Sequence, residues 1–233
     1  CGYSTEYKIL NAKDYGVLQN RKRIILLGKR GECSNFYPEI PTVEHTYLVK
    51  DIFSDLPALN AGSGTTTPVE TLPYSGCYLY DARIKQRDRE PVTFHCSRPN
   101  TIQDLTIYRK AVQLWNKEKK RLSYLDLPKK LQSQNNMDSF LDRFKVVADD
   151  LQYSQTVVAH IAKDGHYFIH PDVKQNRSLT PREVARLQTF PDDYYFESVS
   201  GIPTRTTAYK QIGNAVPVLL AEKIANALLE GWR

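Results

Sequence analysis

The 233 residues contain only four cysteines, Cys1, Cys33, Cys77 and Cys96, and no CxxC pair. So sparse a set argues against a disulfide framework or a zinc knuckle and fits a reducing compartment. Methionine occurs once, at Met137, and the chain opens on Cys1. A translation product begins with Met, so the sequence reads as a segment of something longer or as a processed product. Long apolar runs are also missing. No stretch approaches the ~20 residues of a membrane-spanning helix, and no leader pattern opens the chain. We therefore expect no membrane partner and a cytoplasmic setting. No internal repeat is found. What remains is 41% hydrophobic residues, enough for a core, and a net charge of +6 that suits a polyanionic partner.

The run Ile24-Ile25-Leu26-Leu27, closed by Gly28, reads as a buried strand. Residues two apart share a strand face, so Gln19, Arg21 and Arg23 point the same way from its open end. An amide and two guanidiniums so placed are either a solvated strand end or a site for an acceptor such as a carboxylate, phosphate or base carbonyl. Residues 31–104 are rich in Pro, Gly, Ser and Thr and read largely as loop.

Farther on, Leu105, Tyr108, Val112 and Trp115 mark one face of a helix over 104–116. Thr101 and Asp104 cap it, and basic residues 117–121 suit its C-terminal dipole, where they read as a solvated helix end. A second short helix is expected over 139–147, with Leu141, Phe144 and Val147 inward. Residues 156–161 and 166–169 read as the arms of a hairpin about Asp164-Gly165. His166, Phe168 and His170 would then share a face, but no third ligand has suitable spacing and we expect no metal.

The sharpest local pattern is "RSLTPREVARLQTFPDDYYF". Thr180, Pro181 and Glu183 spell an N-cap, a first-turn Pro and a capping-box acid. Phe190-Pro191 ends this helix after barely two turns, with Val184 and Leu187 facing in and Arg182 and Arg186 out. Gly213-Asn214 signals a turn. Pro217 then starts a last helix whose apolar face is Val218, Ala221, Ile224, Ala225 and Leu228.

Three stretches, "NAKDYGVLQNRKRIILLG", "RSLTPREVARLQTFPDDY" and "YKQIGNAVPV", together resemble the last motifs of the DNA cytosine-5 methyltransferases, in that family's order. They match its Gln-x-Arg-x-Arg motif, its Arg-x-Leu-Thr-x-Arg-Glu motif and its Gly-Asn-(Ala/Ser)-Val-Pro motif. Leu18 departs from the Pro that many members carry before the Gln. The resemblance implies an α/β fold: the C-terminal part of a Rossmann-like methyltransferase domain, joined to a smaller mixed α+β target-recognition domain. It divides the chain into a catalytic-domain segment at 1–33, the recognition domain at 34–200, and a return to the catalytic domain at 201–233.

The same resemblance implies double-stranded DNA as partner and S-adenosylmethionine as cofactor. It makes Arg23 the cation at the O2 edge of a flipped cytosine, with Arg21 and Gln19 organising the pocket mouth. Asn214, Ala215 and Val216 would line part of the cofactor site. Thr156 and Val157 resemble the family's Thr-aliphatic recognition pair; Lys163, His166, Arg98 and Asn100 are further candidate DNA contacts. The family's Pro-Cys-Gln nucleophile loop, Glu-Asn-Val segment and Phe-x-Gly-x-Gly loop do not occur in these residues. The chain is therefore expected to be inactive alone and to need an N-terminal catalytic half, on the same or a separate polypeptide. The alternative is a stand-alone, sequence-specific DNA-binding module without catalysis.

Overall fold

Alternating side chains at the start of the chain build a two-stranded antiparallel hairpin, β1 (Tyr3–Asn11) with β2 (Lys22–Arg30). Its register pairs Tyr7 with Leu26, Ile9 with Ile24 and Leu10 with Arg23. The computed structural model describes residues 2–32, 34–133, 140–199 and 201–232. The expected strand is present, paired antiparallel with β1, but it is buried on one side only. Leu10 and Leu27 are covered, whereas Tyr7, Ile9, Ile24 and Leu26 are 63–67% exposed. The run is apolar on both faces, and the described residues cover only one of them.

Two short strands, β3 (Gly64–Thr65) and β4 (His95–Cys96), pair antiparallel, and α1 (Tyr78–Asp81) is a single turn between them in sequence. The largest core gathers Val49, Ile52, Leu79, Phe94, Val157, Phe168 and Leu187. A second forms beneath α2 (Ile102–Glu118), from Ile107, Tyr108, Tyr124, Phe144 and Ile169. The Thr101–Asp104 capping box forms as expected, and Lys119 closes the helix at φ 55°.

Two expectations fail in the middle of the chain. Over 139–147, Ser139 lies outside the described residues, and from Phe140 the chain makes a turn and then extends until Val146 bridges Ile169. Phe144 and Val147 are buried all the same, in different cores. Nor is there a hairpin about Asp164-Gly165. Ala159–Ala162 is a 3-10 turn, and Ile169 bridges Val146 and Ser178 instead. Gly165 still supplies the bend at φ 80°, a conformation costly for other residues.

The chain closes with α3 (Pro181–Leu187), α4 (Arg205–Asn214) and α5 (Val218–Gly231). Gly213-Asn214, expected as a turn, forms the last residues of α4, and the bend follows at Ala215–Pro217. Residues 205–231 are apolar on average, but this bend divides them into helices of 10 and 14 residues, each short of a ~20-residue span. The helix α5 buries Leu220, Ile224 and Ala227 against Leu10, Tyr15 and Ile40, while Ala221 and Ala225 stay exposed. Its inward stripe is thus rotated from the expected one. Through Ala208, Tyr209 and Ile212, α4 joins the largest core, so packing crosses the 200/201 boundary.

Candidate functional site

The short helix α3 is buried on every side. Thr180 Oγ1 accepts the Glu183 N–H at 3.2 Å and Glu183 Oε2 accepts that of Thr180 at 2.7 Å. Arg182 and Arg186, expected to face outward, are fully buried. Arg186 pairs with Asp55 at 2.5 Å and Asp192 at 2.6 Å, and Lys85 meets the same Asp55 at 2.8 Å. Arg182 donates to the carbonyls of Thr93, Pro191 and Tyr194. Arg177 reaches Glu183 at 2.6 Å. Burial alone would raise the Glu183 carboxyl; Arg177 overrides it and holds the group well below the usual carboxylate range. Loops distant in sequence supply these partners, which a local helical pattern cannot reveal.

The end of α3 is where separate segments meet. The Leu187 carbonyl accepts Gln19 Nε2 at 2.9 Å. Gln188 Nε2 donates to Ile212 O at 3.0 Å, and the Gln188 carbonyl accepts the Val218 N–H at 3.0 Å. Thr189, held at φ 55°, presents its hydroxyl to the Leu219 N–H at 2.9 Å. A β-branched residue rarely adopts that φ, and here it joins the end of α3 to the first turn of α5.

Gln19 and Arg21 are both fully buried. Gln19 Oε1 accepts the Val157 N–H at 2.9 Å, so one amide holds both Val157 and Leu187. Arg21 donates to the carbonyls of Val157, Gly213 (3.0 Å) and Ala215 (2.7 Å). Burial, and then the neighbouring Arg23 charge, draw the Arg21 pKa down to about 10, leaving it protonated at neutral pH. The close approach of α4 to Val158-Ala159 depends on Gly213: a Cβ there would lie 2.3 Å from the Ala159 nitrogen.

Arg23 differs from both. It is half-buried, and its one hydrogen bond among the described residues is to the adjacent Lys22 carbonyl at 2.7 Å. Burial lowers its pKa. The guanidinium is therefore partly desolvated and open to an acceptor. Asn214 is exposed between the two carbonyls that Arg21 fixes, and Val216 is 37% exposed beside it. This edge offers a free amide and an apolar side chain to a ligand. Among the described residues, no group of three His, Cys, Asp or Glu side chains could hold a metal ion.

The candidate DNA contacts separate into two groups. Thr156 is part-exposed and donates to the Asn20 carbonyl at 2.5 Å, while Val157 is buried in the clamp. Lys163 is exposed. Arg98, by contrast, caps the 3-10 turn, donating to the carbonyls of Ile161, Ala162 and Lys163. Asn100 donates to Tyr108 Oη at 3.2 Å, and His166 Nδ1 lies 2.8 Å from the same oxygen. The His166 ring is packed against Phe144, 4.8 Å between centroids, and burial lowers its pKa. These three side chains are engaged within the chain: Arg98 and Asn100 by the partners just named, and His166 because the hairpin turn that was to carry it does not form. Sequence reading passed over Asn20 and Lys13, which border Thr156 in a cleft. The signal for Asn20 was the same period of two, which sets it opposite Gln19 and Arg21.

Residues 1–230 match the family model for C-5 cytosine-specific DNA methylase. The Type II methyltransferase M.Bpa9945I of Bacillus paralicheniformis is 39% identical over 94% of this chain and 49% of its own length. M.DdeI of Desulfomicrobium norvegicum is 30% identical over 97% of this chain and 54% of its own. The chain thus spans about half the length of the curated relatives it matches. A solved structure from E. coli, described as a prophage-encoded DNA modification methyltransferase, superposes with a TM-score of 0.61 at 21% identity. It covers 99% of this chain and 61% of its own. That likeness shows a methyltransferase fold. With the match spanning nearly every residue, the chain belongs to the C-5 cytosine-specific DNA methylases.

Proposed function

We propose that these residues form the target-recognition part and the base-pocket edge of a DNA cytosine-5 methyltransferase. The observation that carries this reading is the convergence at Gln19 and Arg21. Together they hold the Thr156-Val157 segment, the end of α3 and the Gly213–Ala215 bend, while leaving Arg23 open. A substrate pocket needs rigid walls and one available donor, and this arrangement has that form.

In this reading a cytosine flipped from the duplex meets Arg23 at its O2 edge. A thiolate adding to C6 drives negative charge onto the ring, and a guanidinium already in place lowers that barrier. Arginine suits the position because it stays charged when desolvated. S-adenosylmethionine, when bound, supplies the methyl group for C5. The free Asn214 amide and the exposed Val216 suit one edge of its site. Burial pushes the Cys96 thiol up to about 11, the wrong direction for a nucleophile. The thiolate and the remaining cofactor contacts are assigned to an N-terminal catalytic half. Such a half would also cover the bare hairpin face.

The test combines this chain, or the uninterrupted polypeptide, with a family N-terminal half, duplex DNA and labelled cofactor. Methyl transfer is expected, with Arg23→Ala losing about 10²–10³ in turnover. Undiminished turnover in that variant removes the assigned role. The alternative is a DNA reader without catalysis, which discriminates among duplexes and gives no transfer with any such half. The open Asn214 edge favours the enzyme, because a pure reader has no use for it.

A further inference from the structure

Between the loop that closes the hairpin and the C-terminal end of α2 lies a cleft of about 390 Å³. Lys13, Asn20, Trp115, Arg121, Tyr153 and Thr156 are among the residues that line it. It contains two cations and no carboxylate. Most buried or half-buried arginines in the chain are engaged, Arg21, Arg98 and Arg182 on carbonyls and Arg177 and Arg186 on acids, whereas Arg121 is exposed. Arg121 has no hydrogen bond or ion pair among the described residues, and Lys13 has only the Tyr153 ring, 5.7 Å from its ammonium. The amide oxygen of Asn20 accepts from Asn11 at 2.8 Å, which leaves its NH2 as a free donor. On the α2 side, Asp150 is already taken by Lys119 at 2.5 Å and by the Trp115 indole N–H at 2.9 Å.

We propose that this cleft receives a backbone phosphodiester of the DNA, next to the segment held by Gln19 and Arg21. The inference rests on the methyltransferase reading for the identity of the polyanion. Two cations and an amide N–H suit a phosphate, which carries full charge and demands no fixed edge pattern. A base edge would call for donors and acceptors held in one plane. Thr156 places the cleft beside the recognition pair, so a phosphate there would set the register in which the chain reads its site.

The test is anisotropy binding of the 233-residue chain to several unrelated labelled duplexes across a salt series, wild type against Lys13→Gln/Arg121→Gln. Losing this one phosphate contact should flatten the log Kd against log salt slope by about 0.9, and weaken every duplex by a similar factor. Lys119→Gln, whose charge is already paired with Asp150, should change the slope by less than half as much. Inorganic phosphate at matched ionic strength should not displace the duplex. Wild-type binding with an unchanged slope in the double variant overturns the cleft and leaves the methyltransferase reading intact. A loss confined to one sequence, or displacement by free phosphate, also overturns it. A wild type that binds no duplex at low salt, alone or combined with the N-terminal half, overturns both. Neither side chain bonds a carboxylate or carbonyl, so thermal midpoints should stay within a degree or two and confirm that the variants are folded.

Discussion

The helix α3 and the β1–β2 hairpin invert the usual relation between side-chain chemistry and solvent. In α3 every residue is buried, including two arginines and a glutamate. In the hairpin, four large apolar residues stand 63–67% exposed. The charges are tolerated inside because each has partners: Arg186 has two carboxylates, Glu183 has Arg177, and Arg182 has three carbonyls. The apolar residues of the hairpin have no such company among the described residues. The contrast teaches that burial follows the completeness of a residue's surroundings, and that hydrophobic patterning predicts it only where the whole neighbourhood is at hand.

That contrast can be broken most forcefully at Arg186. Arg186→Met leaves Asp192 buried without its cation and should lower unfolding free energy by about 3–5 kcal/mol, read from urea denaturation. A loss under about 1 kcal/mol would mean that the α3 network contributes little. A second effect comes from pH. Burial, outweighing the pull of Glu183, draws His170 down to about 4 from its ordinary 6.5. Its folded pKa lies below its unfolded one, so its contribution is intact above pH 6.5 and is lost as pH falls toward 4. The slope should reach at most ~1.4 kcal/mol per pH unit. Glu183, also depressed, adds a further loss below about pH 4.5. His170→Asn should flatten the part between 6.5 and 4; an unaltered pH profile in that variant would contradict the assignment. The smallest effect sharpens the other side of the comparison. Ile24→Thr and Leu26→Thr should each change stability of this chain by no more than about 0.5 kcal/mol, while binding of an apolar-surface dye falls. A cost above 2 kcal/mol would mean that the face is covered.

Local chemistry was legible in the sequence where it acts within a few residues. The α3 capping box, the Thr101–Asp104 cap and the start of the last helix at Pro217 all form as read. What escaped was set by distant partners. Arg182 and Arg186 go inside because loops near 55, 93 and 192 supply acceptors. The segment 156–169 does not pair with itself because residues 145–147 and 178 take its strand contacts. Of the candidate site, the grouping of Gln19, Arg21 and Arg23 came from period two and from family resemblance. Their division into two clamped side chains and one open one depends on Val157, Leu187, Gly213 and Ala215, none of which lies within a hundred residues of them.

Every bond that Gln19 and Arg21 make across the chain is to main-chain N–H or C=O, never to a side chain. The joint is therefore indifferent to which amino acid stands at positions 157, 187 or 215, provided the local path of the chain is kept. A segment attached this way can be rewritten, lengthened or grafted from another source while the Gln19–Arg21 joint stays in register, much as interchangeable tools share one chuck.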